Sequence, residues 1–74
     1  MVSVKVCYKK SGKPAEGRKV AASFDGLLRG VTGNEYTNNN GEAHFKADPG
    51  YGKVFVNGSK VYDGKIEGQI IVYI

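Results

Sequence analysis

Apolar and polar side chains alternate at the amino end of the chain, where Val2, Val4, Val6 and Tyr8 interleave with Ser3, Lys5 and Cys7. A period of two turns one set toward a core and the other toward solvent, which predicts a strand and leaves Cys7 on its polar face. KKSGKPAEG breaks the pattern; Val20, Ala22 and Phe24 resume it on a second strand, which ends where DGLLRG brings in Gly26 and Gly30. From Val31 to Thr37 the alternation is interrupted by Gly33 and Asn34, so only a short or bulged third strand is expected. The NNNG run supplies residues that readily take positive φ and predicts a tight turn into Glu42 to Lys46, with Ala43 and Phe45 on one face and His44 on the other.

Pro49 cannot donate to a ladder and Gly50 permits a reversal, so ADPG stops that strand. Lys53 to Val56 then runs into Asn57-Gly58, and Asp63-Gly64 repeats the hairpin signal six residues later, which predicts three strands meandering in succession. The last is read as the longest, with Ile66, Gly68, Ile70, Val72 and Ile74 on one face and Lys65, Glu67, Gln69, Ile71 and Tyr73 on the other. No long window carries helical periodicity, and glycines recur too often for a helix to grow. The expectation is all-β: a small two-sheet Greek-key sandwich of about seven short strands, prealbumin- or Ig-like, with residues 1–74 as one domain and a small barrel as the alternative.

Composition agrees with a folded chain. Hydrophobic residues at 41% and charged residues at 24% are ordinary for a globular domain despite the 11 glycines. At 74 residues, folding removes only about 60% of the unfolded surface from water, so the core must be thin. Cys7 is the only cysteine, which excludes an internal disulfide. The apolar run Ile70 to Ile74 is far shorter than the roughly 20 residues of a membrane-spanning helix, so no membrane role is expected. The amino end places its charge after its apolar part, the reverse of a signal peptide, so a complete chain is expected in the cytoplasm. A segment excised from an exported protein leaves the location open.

The net charge of +4 is uneven. Residues 1–20 hold Lys5, Lys9, Lys10, Lys13, Arg18 and Lys19 against Glu16 alone, and the remainder is slightly acidic. Lys9, Lys10, Lys13, Arg18 and Lys19 are therefore the candidate anion-binding set. Lysines on an exposed turn and edge strand also serve solubility and discourage edge pairing.

The segments GKPAEGRKVAASF (Gly12 to Phe24) and TNNNGEAHFKADPG (Thr37 to Gly50), followed by VFV and Gly58, together resemble the carboxypeptidase-regulatory-like and transthyretin-like group of β-sandwich domains, and also the collagen-adhesin B-type repeats. Gly12, Pro14, Gly17, Val20, Thr37, Gly41, Phe45, Pro49, Gly50, Val54 and Val56 stand where that group shows its Gly-x-Pro-x-x-Gly segment, its Thr and Gly turn, its aromatic strand, its Pro-Gly and its Val-x-Val strand. Tyr51 follows the Pro-Gly at once, one position earlier than the group's usual tyrosine. The resemblance implies a seven-stranded prealbumin-like sandwich serving as spacer, stabilising appendage or binding module rather than as an enzyme. The hydroxyisourate hydrolases of this broad fold need several histidines and a Tyr-Arg-Gly-Ser end, whereas this sequence has His44 alone and closes on IVYI. The isopeptide bond of the adhesin repeats joins a lysine on the first strand to an asparagine on the last. Lys5 faces away from the valines, and the last strand has no Asn or Asp.

Other chemistry is sparse. Cys7 and His44 form the only nucleophile and base pairing, and both are expected on polar strand faces, able to meet if those strands are neighbours. One His and one Cys do not supply the three or four ligands of a metal site, and Asp25, Asp48 and Asp63 fit turn chemistry. GLLRGVTGN precedes no helix and is not a phosphate cradle. Leu27-Leu28 are expected either to plug the end of the sandwich or to offer an apolar contact. Tyr51 and Tyr62 are the candidate aromatic platform, for sugars or for bases.

The function expected is that of a non-enzymatic accessory or protein-interaction module without a cofactor, with an unidentified protein partner. Competing expectations are a basic nucleic-acid or anionic-polymer binder and a carbohydrate-binding module. Self-association is expected through Ile71 and Tyr73 on the outward face of the last strand, which would lack the usual protection if it lies at a sheet edge.

Overall fold

The valine alternation of the amino end becomes β1 (Val2–Cys7), whose Val2, Val4 and Val6 are fully buried in the computed structural model. The structure describes residues 1–26, 30 and 32–74. After β1 come β2 (Lys19–Phe24), β3 (Glu35–Tyr36), β4 (Glu42–Phe45), β5 (Gly50–Val56), β6 (Ser59–Ile66) and β7 (Gln69–Tyr73). No helix occurs among the described residues, and the seven strands form two sheets, ordered β4-β1-β7 and β3-β2-β5-β6. The all-β two-sheet architecture expected from the alternation is the one found.

One layer of side chains fills the space between the sheets. Val20, Ala22 and Phe24 of β2, Ala43 and Phe45 of β4, Val54 and Val56 of β5, Ile66 of β6 and Val72 of β7 join the three valines of β1. The molecule measures 38 × 20 × 18 Å, room for two sheets about 10 Å apart and no third layer. Outer faces are therefore left to solvent unless another chain covers them.

The turns follow their local chemistry in part. Asn38 accepts from the Asn40 and Glu42 N–H groups through Oδ1, at 2.9 and 3.0 Å, and Gly41 takes φ 77° to feed β4. A Cβ at Gly41 would stand 2.5 Å from the Val6 carbonyl oxygen, so the turn packs directly on β1. Asn57 (φ 51°) and Gly58 (φ 86°) make the two-residue turn between β5 and β6, the mirror-image form that fits strand twist. The weak third strand is the two-residue β3.

Two readings of the carboxyl half need correction. Asp63-Gly64 is not a turn: β6 runs straight through it, with Asp63 opposite Lys53 and Gly64 opposite Gly52. The seven residues of β5, beginning at Gly50 rather than near Lys53, offer a ladder that outweighs the local Asp-Gly preference. The last strand is also two strands. Ile66 ends β6 in one sheet, the chain crosses at Glu67-Gly68 with Gly68 at φ 57°, and β7 begins in the other sheet, parallel to β1. Side-chain parity survives the crossing because both segments present alternate residues to the same core.

Buried polar pairing secures the long connection from β1 to β2. Thr37 is 4% exposed; its hydroxyl donates to the Ala15 carbonyl at 2.6 Å and accepts from the Arg18 N–H at 2.8 Å. Its backbone N–H donates to the Arg18 carbonyl, and its carbonyl accepts from Gly17. One threonine thereby fastens the Pro14 to Arg18 segment to the entry of the NNNG turn.

Candidate functional site

Four strands lie at sheet edges, and three of them carry a device against further pairing. β3 is only two residues long. On β4, Glu42 and His44 are polar, and the Asn38 side chain and backbone already engage the Glu42 N–H and carbonyl. β6 carries Lys60, Asp63 and Lys65, with pairing irregular at the Val54/Phe55 step of its partner. Short, charged or bulged edges resist the approach of another strand. β7 has none of these: Gln69–Tyr73 is uncharged and flat in pattern.

Register fixes which atoms of β7 face outward. Ser3 donates to the Gly68 carbonyl, Ile74 donates to the Cys7 carbonyl, and Lys9 donates to the Ile74 carbonyl, at 2.7 to 2.9 Å. In a parallel ladder alternate residues bond to the same neighbour. Ile70 and Val72 therefore share the phase of Ile74 toward β1, and the N–H and C=O groups of Gln69, Ile71 and Tyr73 point to the free edge. The side chains of Ile71 and Tyr73, each 53% exposed, stand on the outer sheet face beside that edge. Tyr36 does not cover them: it pairs with Lys19 in the other sheet and is itself 65% exposed. Leu27 and Leu28 lie outside the described residues.

The outer face of this sheet grades from polar to apolar along β1. His44, Ser3 and Gln69 form its first row, and Ser3 Oγ lies 2.7 Å from His44 Nδ1. Glu42, Lys5 and Ile71 form the second row. There Glu42 accepts from Gln69 Nε2 at 3.0 Å, and His44 Nε2 lies 3.9 Å from its other oxygen. The Gln69 hydrogen bond is the main cause holding the Glu42 carboxyl below its ordinary value; burial opposes it, and Asn38, His44 and Lys5 assist. Cys7 and Tyr73 form the third row, with Pro14 bridging Cys7 on the far side. Flanked in this way Cys7 is 6% exposed, not solvent-facing as the alternation predicts.

These positions weaken a catalytic reading. β1 and β4 are neighbours, yet His44 is opposite Ser3, four residues or roughly 13 Å along the strand from Cys7. Ser3, His44 and Glu42 are a constellation that the residue spacing did not reveal, because only the β1 to β4 register brings them together. It sits on an exposed sheet face, and its carboxylate stands 3.9 Å from the imidazole, beyond hydrogen-bond reach. A concavity of about 420 Å³ between the β3 and β4 edges is lined by Thr32, Gly33, Glu35, His44, Phe45 and Lys46. Among the described residues no group of three or more His, Cys, Asp or Glu converges on a point, and no helix is long and apolar enough to cross a membrane.

Part of the basic set meets at Tyr8, which is followed directly by Lys9 and whose N–H donates to the Lys13 carbonyl at 2.8 Å. Lys9, Lys10 and Lys13 are exposed on the loop after β1. Arg18 is half-buried, donates from Nη2 to the Tyr8 hydroxyl at 2.5 Å and lies 5.4 Å from the Tyr8 ring centre. Lys19 projects from the outer face of the four-stranded sheet. The tyrosine pair is divided between two faces of the sheet. Tyr51 is exposed opposite Lys65, while Tyr62 shares the inner face with Val54 and donates its hydroxyl to the Lys65 carbonyl at 2.6 Å. Tyr51 and Tyr62 therefore do not make one platform.

No family model, curated protein or solved structure matches the chain.

Proposed function

We propose that the chain is a non-enzymatic β-sandwich module that works through protein contacts, self-association included, made along β7. The observation that carries this reading is the contrast among the four edges: only β7 joins unbonded backbone groups, exposed Ile71 and Tyr73, and an uncharged sequence. Exposed edges of this kind template pairing with another strand, and main-chain bonds then give affinity while outward side chains give selectivity. The resemblance to carboxypeptidase-regulatory-like and transthyretin-like domains favours the same accessory role. Its motif positions have coherent structural uses here, with Gly12 and Gly17 at φ 73°, Gly41 at φ 77° and Thr37 buried as a clamp.

Sedimentation over roughly 10 to 1,000 μM tests the reading, a range suited to an interface smaller than about 1,200 Å². The native chain is expected to gain mass with concentration. Ile71→Lys and Tyr73→Lys place a charge on the exposed face and are expected to shift the midpoint at least tenfold upward. A monomer throughout, or association indifferent to both substitutions, contradicts it.

A further inference from the structure

We infer that the occupant of the β7 edge is a second copy of this chain, paired antiparallel about a two-fold axis at Ile71; this rests on the reading of β7 as the contact element. The outward backbone groups belong to Gln69, Ile71 and Tyr73, so an antiparallel copy of the same strand has three in-phase registers that pair more than one residue of each copy. Setting Gln69 against Ile71 leaves Tyr73 unpaired, and setting Ile71 against Tyr73 leaves Gln69 unpaired. Setting Ile71 against the second copy's Ile71 pairs Gln69 with Tyr73 on both sides and forms roughly six hydrogen bonds. That register alone satisfies the whole edge.

Charge selects the direction. No side chain from Gln69 to Ile74 is charged, so the strand meets itself without like charges face to face. Its two ends differ in sign. Lys9, bonded through its N–H to the Ile74 carbonyl, and Lys10 stand at one end, whereas Glu67 and the Glu42 carboxylate held by Gln69 stand at the other. Glu67 is shared with Lys65 at 3.5 Å, which reduces but does not reverse the polarity of that end. Antiparallel pairing sets the basic end of one copy beside the acidic end of the other, and parallel pairing sets lysines beside lysines. The two Ile71 side chains then lie directly opposite on the outer face, with each Tyr73 ring diagonal to the other copy's Ile71. The product doubles the three-stranded sheet into one continuous sheet, β4-β1-β7-β7-β1-β4.

Single-cysteine variants on a Cys7→Ala background read the register directly. Paired residues of a hydrogen-bonded antiparallel step have Cα atoms about 5.5 Å apart, within disulfide reach. Ile71→Cys is expected to give a covalent dimer on mild oxidation. Gln69→Cys and Tyr73→Cys, each with its own counterpart roughly 13 Å away, are expected to give none alone and a mixed dimer when combined. Isotope-filtered NMR on labelled and unlabelled native chain gives the same readout without substitution, through Ile71 to Ile71 contacts between copies. A dimer that cross-links at Gln69→Cys or Tyr73→Cys alone overturns this arrangement and leaves the β7 contact reading standing, whereas one whose intermolecular contacts lie on β4 or β6 overturns both. A monomer at every concentration overturns both.

Discussion

Thr37 shows how one side chain holds a connection that has little other structure. Its hydroxyl serves the Ala15 carbonyl and the Arg18 N–H at once, in a place where water does not reach. Thr37→Val keeps the shape and strands both partners, so a loss of about 1–3 kcal/mol is expected in urea unfolding, while Thr37→Ser is expected to cost less than half as much. Glu42 gives a second test at this scale. Its carboxyl titrates below the ordinary 4.5, chiefly because Gln69 donates to the charged form. A depressed folded value means a stabilising contribution that is complete above the unfolded value and disappears as pH falls through the folded one. The stability difference between the native chain and Glu42→Gln should therefore be constant near neutrality and shrink below pH 4.5; a difference indifferent to acid contradicts the assignment. Thr37 stood out in the sequence only through its place in a motif, and the Glu42 cluster did not stand out. Glu42, His44, Ser3 and Gln69 are distant in sequence, and alternation tells which face a residue occupies without telling which strand lies beside it. The burial of Cys7 was hidden for the same reason, since Pro14 and Tyr73 reach it from elsewhere in the chain.

At the scale of elements, local chemistry was legible where a turn decides the outcome and misleading where a ladder does. Asn57-Gly58 reads as a hairpin and is one, because both residues take positive φ. Asp63-Gly64 reads the same way and lies inside β6, held in line by the long partner β5 and covered by Tyr62, whose hydroxyl oxygen would be 3.3 Å and nearest ring carbon 3.5 Å from a Gly64 Cβ. The paired Gly52 marks a close approach of β5 to β2, where a Cβ would collide with the Ser23 carbonyl oxygen and crowd the Phe24 Cα at 3.0 Å. Gly52→Ala is therefore expected to lower stability by about 1–3 kcal/mol in chemical unfolding, the cost typical of overpacking. Gly58→Ala, with open space around its Cβ, is expected to cost about 1 kcal/mol through its positive φ alone. Equal costs at the two sites would remove the distinction between crowding and backbone strain.

For the whole molecule, the fold class was legible because alternation and turn residues recur along most of the chain, and the pairing order was not. Nothing in QIIVYI says that it lies beside VSVKVC, or that it closes one sheet as an edge; that follows from the crossing at Glu67-Gly68. The outward face of Ile71 and Tyr73 was readable from parity, and the unprotected edge required the strand order. Self-association through β7 is the claim to which these observations lead. Amide hydrogen exchange, followed residue by residue in the native chain as concentration rises, addresses it most directly. Ile70, Val72 and Ile74 donate to β1 and should be protected even at the lowest concentration, whereas Gln69, Ile71 and Tyr73 should exchange freely when dilute and slow at least tenfold as copies pair. If Gln69, Ile71 and Tyr73 exchange at the same rate at every concentration, β7 is not where this protein meets another copy of itself.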